Sequence, residues 1–170
     1  MRVPHRVAQF FRHLRRAPLP LADQHHIAEV LGPTLTPLFF RMTPGEQLHS
    51  LTVLRRVEKS APPELLQAAL LHDVGKSVAA MNIFERVLVV LAQHAFPNRW
   101  SHWGHGEPCG WRKPFVVTVQ HARWGADLAA QAGAAPTVVN LIRRHQSHLQ
   151  QVTSAEDELL IRLQAADDES

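Results

Sequence analysis

Apolar residues along this chain recur at helical spacing, and turn-forming residues cut the pattern into short segments. Val3, Val7, Phe10, Phe11 and Leu14 fall at i, i+4, i+7, i+8 and i+11, one stripe of a helix whose other face carries Arg2, Arg6, Arg12, Arg15 and Arg16. Residues 17–20 break that helix, and Asp23 is placed to cap a second short one ending near Gly32 and Pro33. Thr43-Pro44-Gly45-Glu46 combines an N-cap Thr, a Pro at the first helical position and a Glu three residues after the cap. This capping box predicts a helix over residues 44 to 59. Ser60, Pro62 and Pro63 stop it and start the next, whose Leu65, Leu66, Ala69 and Leu70 form an apolar face leading into Leu71-His72-Asp73-Val74-Gly75-Lys76. Gly75 marks where that helix can end.

Ile83, Phe84, Val87, Leu88 and Leu91 read as a buried helix. From 96 to 114 a loop holds Trp100, Trp103 and Trp111 among the breakers Gly104, Gly106, Gly110, Pro97 and Pro108. Two more helices are expected around 116–132 and 136–149, separated by Gly133, and a last one from a cap at Ser154 to the end of the sequence. No strand alternation, internal repeat or low-complexity segment interrupts this series. The expectation is an all-α bundle of roughly six to eight helices. It forms a single domain over 1–170, with a helical extension at 1–42 and a core at 44–168 carrying the Trp-rich loop.

Composition narrows the function classes. With 170 residues, 45% of them hydrophobic, the chain can bury one continuous core. The longest apolar run, 87–92, is far too short to cross a bilayer, and the Arg-rich start lacks the apolar core of a secretory signal. Cys109 is the sole cysteine, so no intrachain disulfide and no cysteine zinc site can form, which fits a reducing compartment and points to the cytoplasm. A net charge of +3 is too mild to imply nucleic-acid binding. The excess of Arg over Lys suits phosphate and equally reflects base composition. Histidine is the outlier, with 12 residues, and neutral imidazole is the commonest side-chain metal ligand near pH 7.

The arrangement of a few polar residues matters more than their number. His72 and Asp73 adjoin at the end of an apolar helix, and His49 sits among Leu48, Leu51 and Val53. Asp167 follows Leu160 and Leu163 at i+7 and i+4 and so shares their inward face, whereas Asp168 points about 100° away. Four polar groups on three apolar helices make sense if a cation offsets the cost of burying them.

The series His49, His72-Asp73, Asp167 resembles the H…HD…D signature of the HD-domain superfamily of metal-dependent phosphohydrolases. The contexts match as well: residues 46–53 resemble the family's first-His helix, and Ala68-Ala69-Leu70-Leu71-His72-Asp73-Val74-Gly75-Lys76 its doublet segment. His121-Ala122-Arg123-Trp124-Gly125-Ala126 and Ile142-Arg143-Arg144-His145 resemble later His segments, so the likeness spans 46–167.

The resemblance implies a helical bundle that holds divalent metal and hydrolyses phosphomonoesters, phosphoanhydrides or phosphodiesters, commonly of nucleotides. It implies His49, His72, Asp73 and Asp167 as metal ligands, and Asp73, Lys76, His121 and His145 as catalytic residues, with Lys76 a point charge near the phosphate. The mixed nitrogen and oxygen set suits Mn, Fe, Co, Ni or Mg. His121 and His145 match positions that hold a second metal in binuclear members and contact phosphate or donate a proton in others. Because His145-Gln146-Ser147-His148 stands where the binuclear pattern often has His-His-Glu, one ion is expected in preference to two.

Arg123, Arg143 and Arg144 are candidate phosphate contacts, with a surface position expected for at least two of them. The Trp-rich loop either stacks a base or packs against the bundle or a partner subunit. His94, His102 and His105 are a weaker metal candidate, and Cys109 reads as structural. No Gly-Tyr-Pro follows His145, which argues against a cyclic dinucleotide phosphodiesterase. Val-Gly-Lys replaces the acidic pair of guanosine tetraphosphate hydrolases, and diadenosine polyphosphate hydrolases of the HD type come closer. The expected partner is a small phosphorylated substrate, with neither membrane nor nucleic acid, and homo-oligomerisation stays open. The alternative is a regulatory module that binds a phosphorylated ligand without turnover.

Overall fold

The computed structural model describes residues 18–170. The Arg-rich helix expected over the first residues, and with it much of the 1–42 extension, lies outside the described residues. Seven α-helices follow in order: α1 Leu21–Phe39, α2 Pro44–Val57, α3 Pro63–Leu71, α4 Ile83–Ala95, α5 Lys113–Gln131, α6 Pro136–Arg144 and α7 Ala155–Asp168. Short 3-10 turns link several of them, and no strand occurs among the described residues. The all-α expectation holds.

The local start signals act as their chemistry predicts. Glu46 N donates to Thr43 Oγ1 at 3.4 Å while Thr43 N donates back to Glu46 Oε2 at 3.0 Å, so the capping box opens α2. Ser154 accepts from Asp157 N at 3.1 Å and opens α7. Asn82 and Glu85 form a further box at α4.

Four local expectations need correction. Pro20, not Asp23, precedes the first turn of α1, because its extended backbone already sets the entry three residues earlier. Asp23 instead accepts from Arg55 of α2 at 2.6 Å. The break at Gly32 and Pro33 is a kink, where Gly32 at φ 67° lets the chain turn before Pro33 restarts the helix. Helix α6 stops at Arg144 because the Gln164 side chain takes the carbonyls of His145 and Ser147, drawing that segment off the helical path.

Gly75 does not cap a helix. It lies within the 3-10 turn Val74–Val78, where a Cβ would stand 1.9 Å from the backbone oxygen of His121 and 2.6 Å from Gly125 N. Its lack of a side chain lets the turn after the His72-Asp73 doublet press against the backbone of α5.

The main core is built from α1, α2, α3, α6 and α7 with the C-terminal half of α5, and Leu51, Leu54, Leu65, Leu71, Ile142 and Leu163 are fully buried in it. A smaller cluster joins Val89, Ala92 and Phe115 to Trp100 and Trp103. Helix α4 belongs to this second cluster and is not the buried helix its sequence resembles: only Val89 and Ala92 are buried, while Phe84, Val87, Leu88 and Leu91 are exposed. It packs on α5 and the turn at Trp100–Gly104 and reaches α2 through Arg86 and Glu46. The Trp-rich segment folds into two 3-10 turns, and Trp103 packs edge-on to Phe96, Trp111 and Phe115 with ring centres 5.7, 5.7 and 5.1 Å away.

Candidate metal centre

Helix α2 carries His49, the end of α3 carries His72 and Asp73, α5 carries His121, the residue after α6 is His145, and the last turn of α7 carries Asp167. The bundle brings all six together. His49 Nε2 lies 2.8 Å from Asp167 Oδ1 and 3.3 Å from His72 Nε2, and His72 Nε2 lies 3.5 Å from Asp167 Oδ1. On the far side, Asp73 Oδ1 lies 3.3 Å from His121 Nε2 and 3.9 Å from His145 Nε2. Asp73 Oδ2 faces the first trio, 3.6 Å from His72 and 3.9 Å from His49. The result is two groups with the spacing of a cation site, His49-His72-Asp167 and Asp73-His121-His145, joined by one carboxylate.

The imidazoles are oriented by backbone. His72 Nδ1 is 3.0 Å from Ala69 O, His121 Nδ1 is 3.0 Å from both Val117 O and Thr118 O, and His145 Nδ1 is 2.7 Å from Ile142 O. A carbonyl can only accept, so each Nδ1 carries the hydrogen, and Nε2 is aimed at the centre. Metal-binding histidines are held in this way. Each acceptor sits three or four residues earlier, where a helix brings its carbonyl beneath the ring. Sequence reading missed these partners, although the i−3 and i−4 spacing on a helix was the available signal.

Burial makes the charges consequential. His72, Asp73, His121 and His145 are all buried. Burial alone would depress the His72 pKa, but the Asp73 and Asp167 carboxylates outweigh it and raise it to about 9. Burial, aided by positive charge on His72 and His121, pushes His145 down to about 3 and keeps it neutral. Against the opposing effect of burial, Lys76 and His72 hold Asp73 well below the usual carboxylate range, and His72 and His49 do the same for Asp167. Lys76 Nζ lies 2.5 Å from Asp73 Oδ2, so this Lys is turned to the centre, not solvated after a helix.

The donor set fits a divalent cation. His121 Nε2 is buried and makes no aligned hydrogen bond, a costly state that a cation would relieve. Asp168 is exposed, in keeping with Asp167 as the inward residue. The turn that carries Asp167 is tied down: Arg56 Nη1 lies 2.9 Å from Glu169 Oε2, and Ser170 Oγ donates to Ala166 O at 2.5 Å.

Other candidates fall elsewhere. Arg143 pairs with Asp127 at 3.0 Å, and Arg144 pairs with Glu156 and Asp157 at 3.0 and 2.5 Å, bracing the start of α7. Arg123 is exposed and bonds Gln120. Neither His94, His102 nor His105 joins a cation-spaced group among the described residues, and Cys109 is exposed, not structural.

A helical bundle that turns four histidines and two aspartates onto one buried centre belongs to the class of metal-binding α-helical domains. The HD domain family model matches residues 47–170, and the chain belongs to that family. No curated protein and no solved structure matches it. Among the described residues, no helix is long and apolar enough to cross a membrane.

Proposed function

We propose that the chain is a metal-dependent phosphohydrolase acting on a small phosphorylated substrate, a nucleotide foremost, with two adjoining cation positions that share Asp73. The observation that carries this reading is the fixed aim of His72, His121 and His145 Nε2 toward the two oxygens of Asp73, each ring held by a backbone carbonyl on its other nitrogen. His49, His72, Asp73 and Asp167 would hold one cation; Asp73, His121 and His145 would hold the other. The expectation of a single ion rested on the missing His-His-Glu run, and the second group needs only the residues present. Mixed imidazole and carboxylate donors suit Mn, Fe, Co, Ni or Mg.

When bound, a divalent cation there would polarise a phosphoryl oxygen and lower the pKa of water toward neutrality. The chain's own residues do the rest. Asp73 holds the two halves of the centre in register through its two oxygens. Burial keeps His145 neutral, so its Nε2 faces Asp73 as a lone-pair donor. Lys76 places a positive charge at the edge of the centre, where it can meet a phosphate oxygen once Asp73 is engaged. Fully buried Leu71 and Ile142 beside the doublet and His145 keep water from the back of the site.

The deciding experiment measures metal in the wild type and in Asp73→Ala by elemental analysis, beside hydrolysis of an aryl phosphate and a nucleotide panel with added Mn. The expected result is bound metal and activity in the wild type, with both lost in the variant. A metal-free, inactive wild type that Mn, Fe or Co fails to rescue would turn the assignment to a ligand-binding module. An Asp73→Ala protein that keeps metal and turnover would end it.

A further inference from the structure

Helix α4 has its amphipathy reversed. Its two acidic and basic residues face inward: Glu85 pairs with Lys113 of α5 at 3.1 Å, and Arg86 pairs with the buried Glu46 of α2 at 2.7 Å. Its outward side is apolar, with Phe84 81% and Leu91 61% exposed alongside Val87, Leu88 and Val90. Beside the C-terminal half of the helix, Leu88, Leu91, Ala95, Phe96 and Trp111 line an apolar groove of about 300 Å³ floored by Phe115, and Trp111 is itself 62% exposed. A helix facing water carries its charges outward. Here the charges are spent inside, which makes sense only if the outer face is covered.

We propose that this face is the interface of a two-fold dimer, its occupant a second copy of the same chain. The area fits. With side-chain areas on the order of 150–250 Å² for the aromatic residues and somewhat less for the aliphatic ones, the exposed fractions amount to roughly 700 Å² of apolar surface. That exceeds the ~300–600 Å² of the largest patch on a typical monomer. It approaches the ~800 Å² that each partner contributes to a standard interface.

The shape fits too, because the face holds both a knob and a hole. Phe84 projects at the start of α4, and the groove lies near its end. Phe84, Leu88, Leu91 and Ala95 follow one another at spacings of 4, 3 and 4, the seam of a helix packed along a helix. An antiparallel pair related by a two-fold axis near Leu88 sets each Phe84 against the partner's groove. Such a contact is self-complementary and closes on itself.

Sedimentation of the full chain tests this, with Phe84→Glu in the interface and Leu21→Glu as a control at an exposed residue of α1. At about 50 µM, where interfaces of this size with micromolar Kd are filled, the wild type and the control sediment at twice the chain mass. Phe84→Glu weakens the dimer at least ~30-fold, as loss of a central anchor does, and sediments at a mass well below that of the dimer. Its helical circular dichroism and bound metal match the wild type, because Phe84 makes no part of the core or centre. A wild type that stays monomeric at that concentration overturns the proposal and leaves the face to another partner. A Phe84→Glu protein as dimeric as the wild type also overturns it.

Discussion

Gly75 shows how closely the chain is fitted around the centre. A methyl group there would lie 1.9 Å from the His121 oxygen, on a backbone that cannot step aside without moving the imidazole it carries. Gly75→Ala is therefore expected to cost about 3 kcal/mol or more, the upper end of overpacking penalties. It should also part Asp73 from His121, lowering bound metal in protein that still folds. Thermal melting with elemental analysis reads both effects, and wild-type stability with full metal content would contradict them. His121→Ala is the cleaner probe of the shared carboxylate, because it removes one ligand of the Asp73-His121-His145 group and none of the His49-His72-Asp167 group. Bound metal should fall by one equivalent rather than to zero. Four of the six polar residues, His49, His72, Asp73 and Asp167, were legible in the sequence because each interrupts an apolar helix or its end, whereas His121 and His145 were reached only through the family resemblance. That Asp73 could bridge two cations followed from the resemblance, but which of its oxygens faces which ring did not, because spacing does not reach across the bundle.

At the scale of elements, helix starts carry measurable stability. Thr43→Ala removes one half of the α2 capping box and should cost about 1 kcal/mol in denaturant unfolding. Glu46→Ala should cost more, because it also strands Arg86, though less than the ~3–5 kcal/mol of a fully buried pair, since about a fifth of the Arg86 side chain stays in water. If Thr43→Ala proves the more damaging, the tie between α2 and α4 carries no weight.

Helix α7 has its own charged clasp. Arg144, with Thr153 and Ser154, holds the Asp157 carboxyl below the usual carboxylate range. A carboxylate whose pKa is lower folded than unfolded adds stability above the unfolded value, near 3.9, and loses it as pH falls toward the folded value. Asp157→Asn should thus melt at lower temperature than wild type at pH 7, with the gap closing progressively below about pH 4. A gap that is constant with pH would assign its effect to packing. The helix starts at α2 and α7 were readable in advance, because a cap needs only residues within one turn. The end of α6 was not, since Gln164 reaches it from another helix.

At the scale of the molecule, the centre ties α2, α3, α5 and α7 together with the segment after α6, so a cation bound there is linked to global stability. A ligand present at 100 times its Kd adds about 2.7 kcal/mol, worth roughly 2–4 °C in Tm per kcal/mol for a chain of this size. Chelation should lower the Tm accordingly, and Mn or Co should restore it. A Tm indifferent to both would show that the centre holds no cation in the folded protein.

The division between sequence and structure follows the range of the forces involved. Helical periodicity, capping boxes, the all-α class and the H…HD…D residues were determined by the sequence alone, because they depend on neighbours within a turn or on a motif of fixed residue types. Tertiary packing decided that α4 is exposed although its apolar residues read as core, that Arg144 braces α7 instead of meeting phosphate, and that Gly75 serves close approach instead of capping. Burial, pairing and clearance depend on what lies across the contact, and that is supplied by residues tens of positions away in the chain.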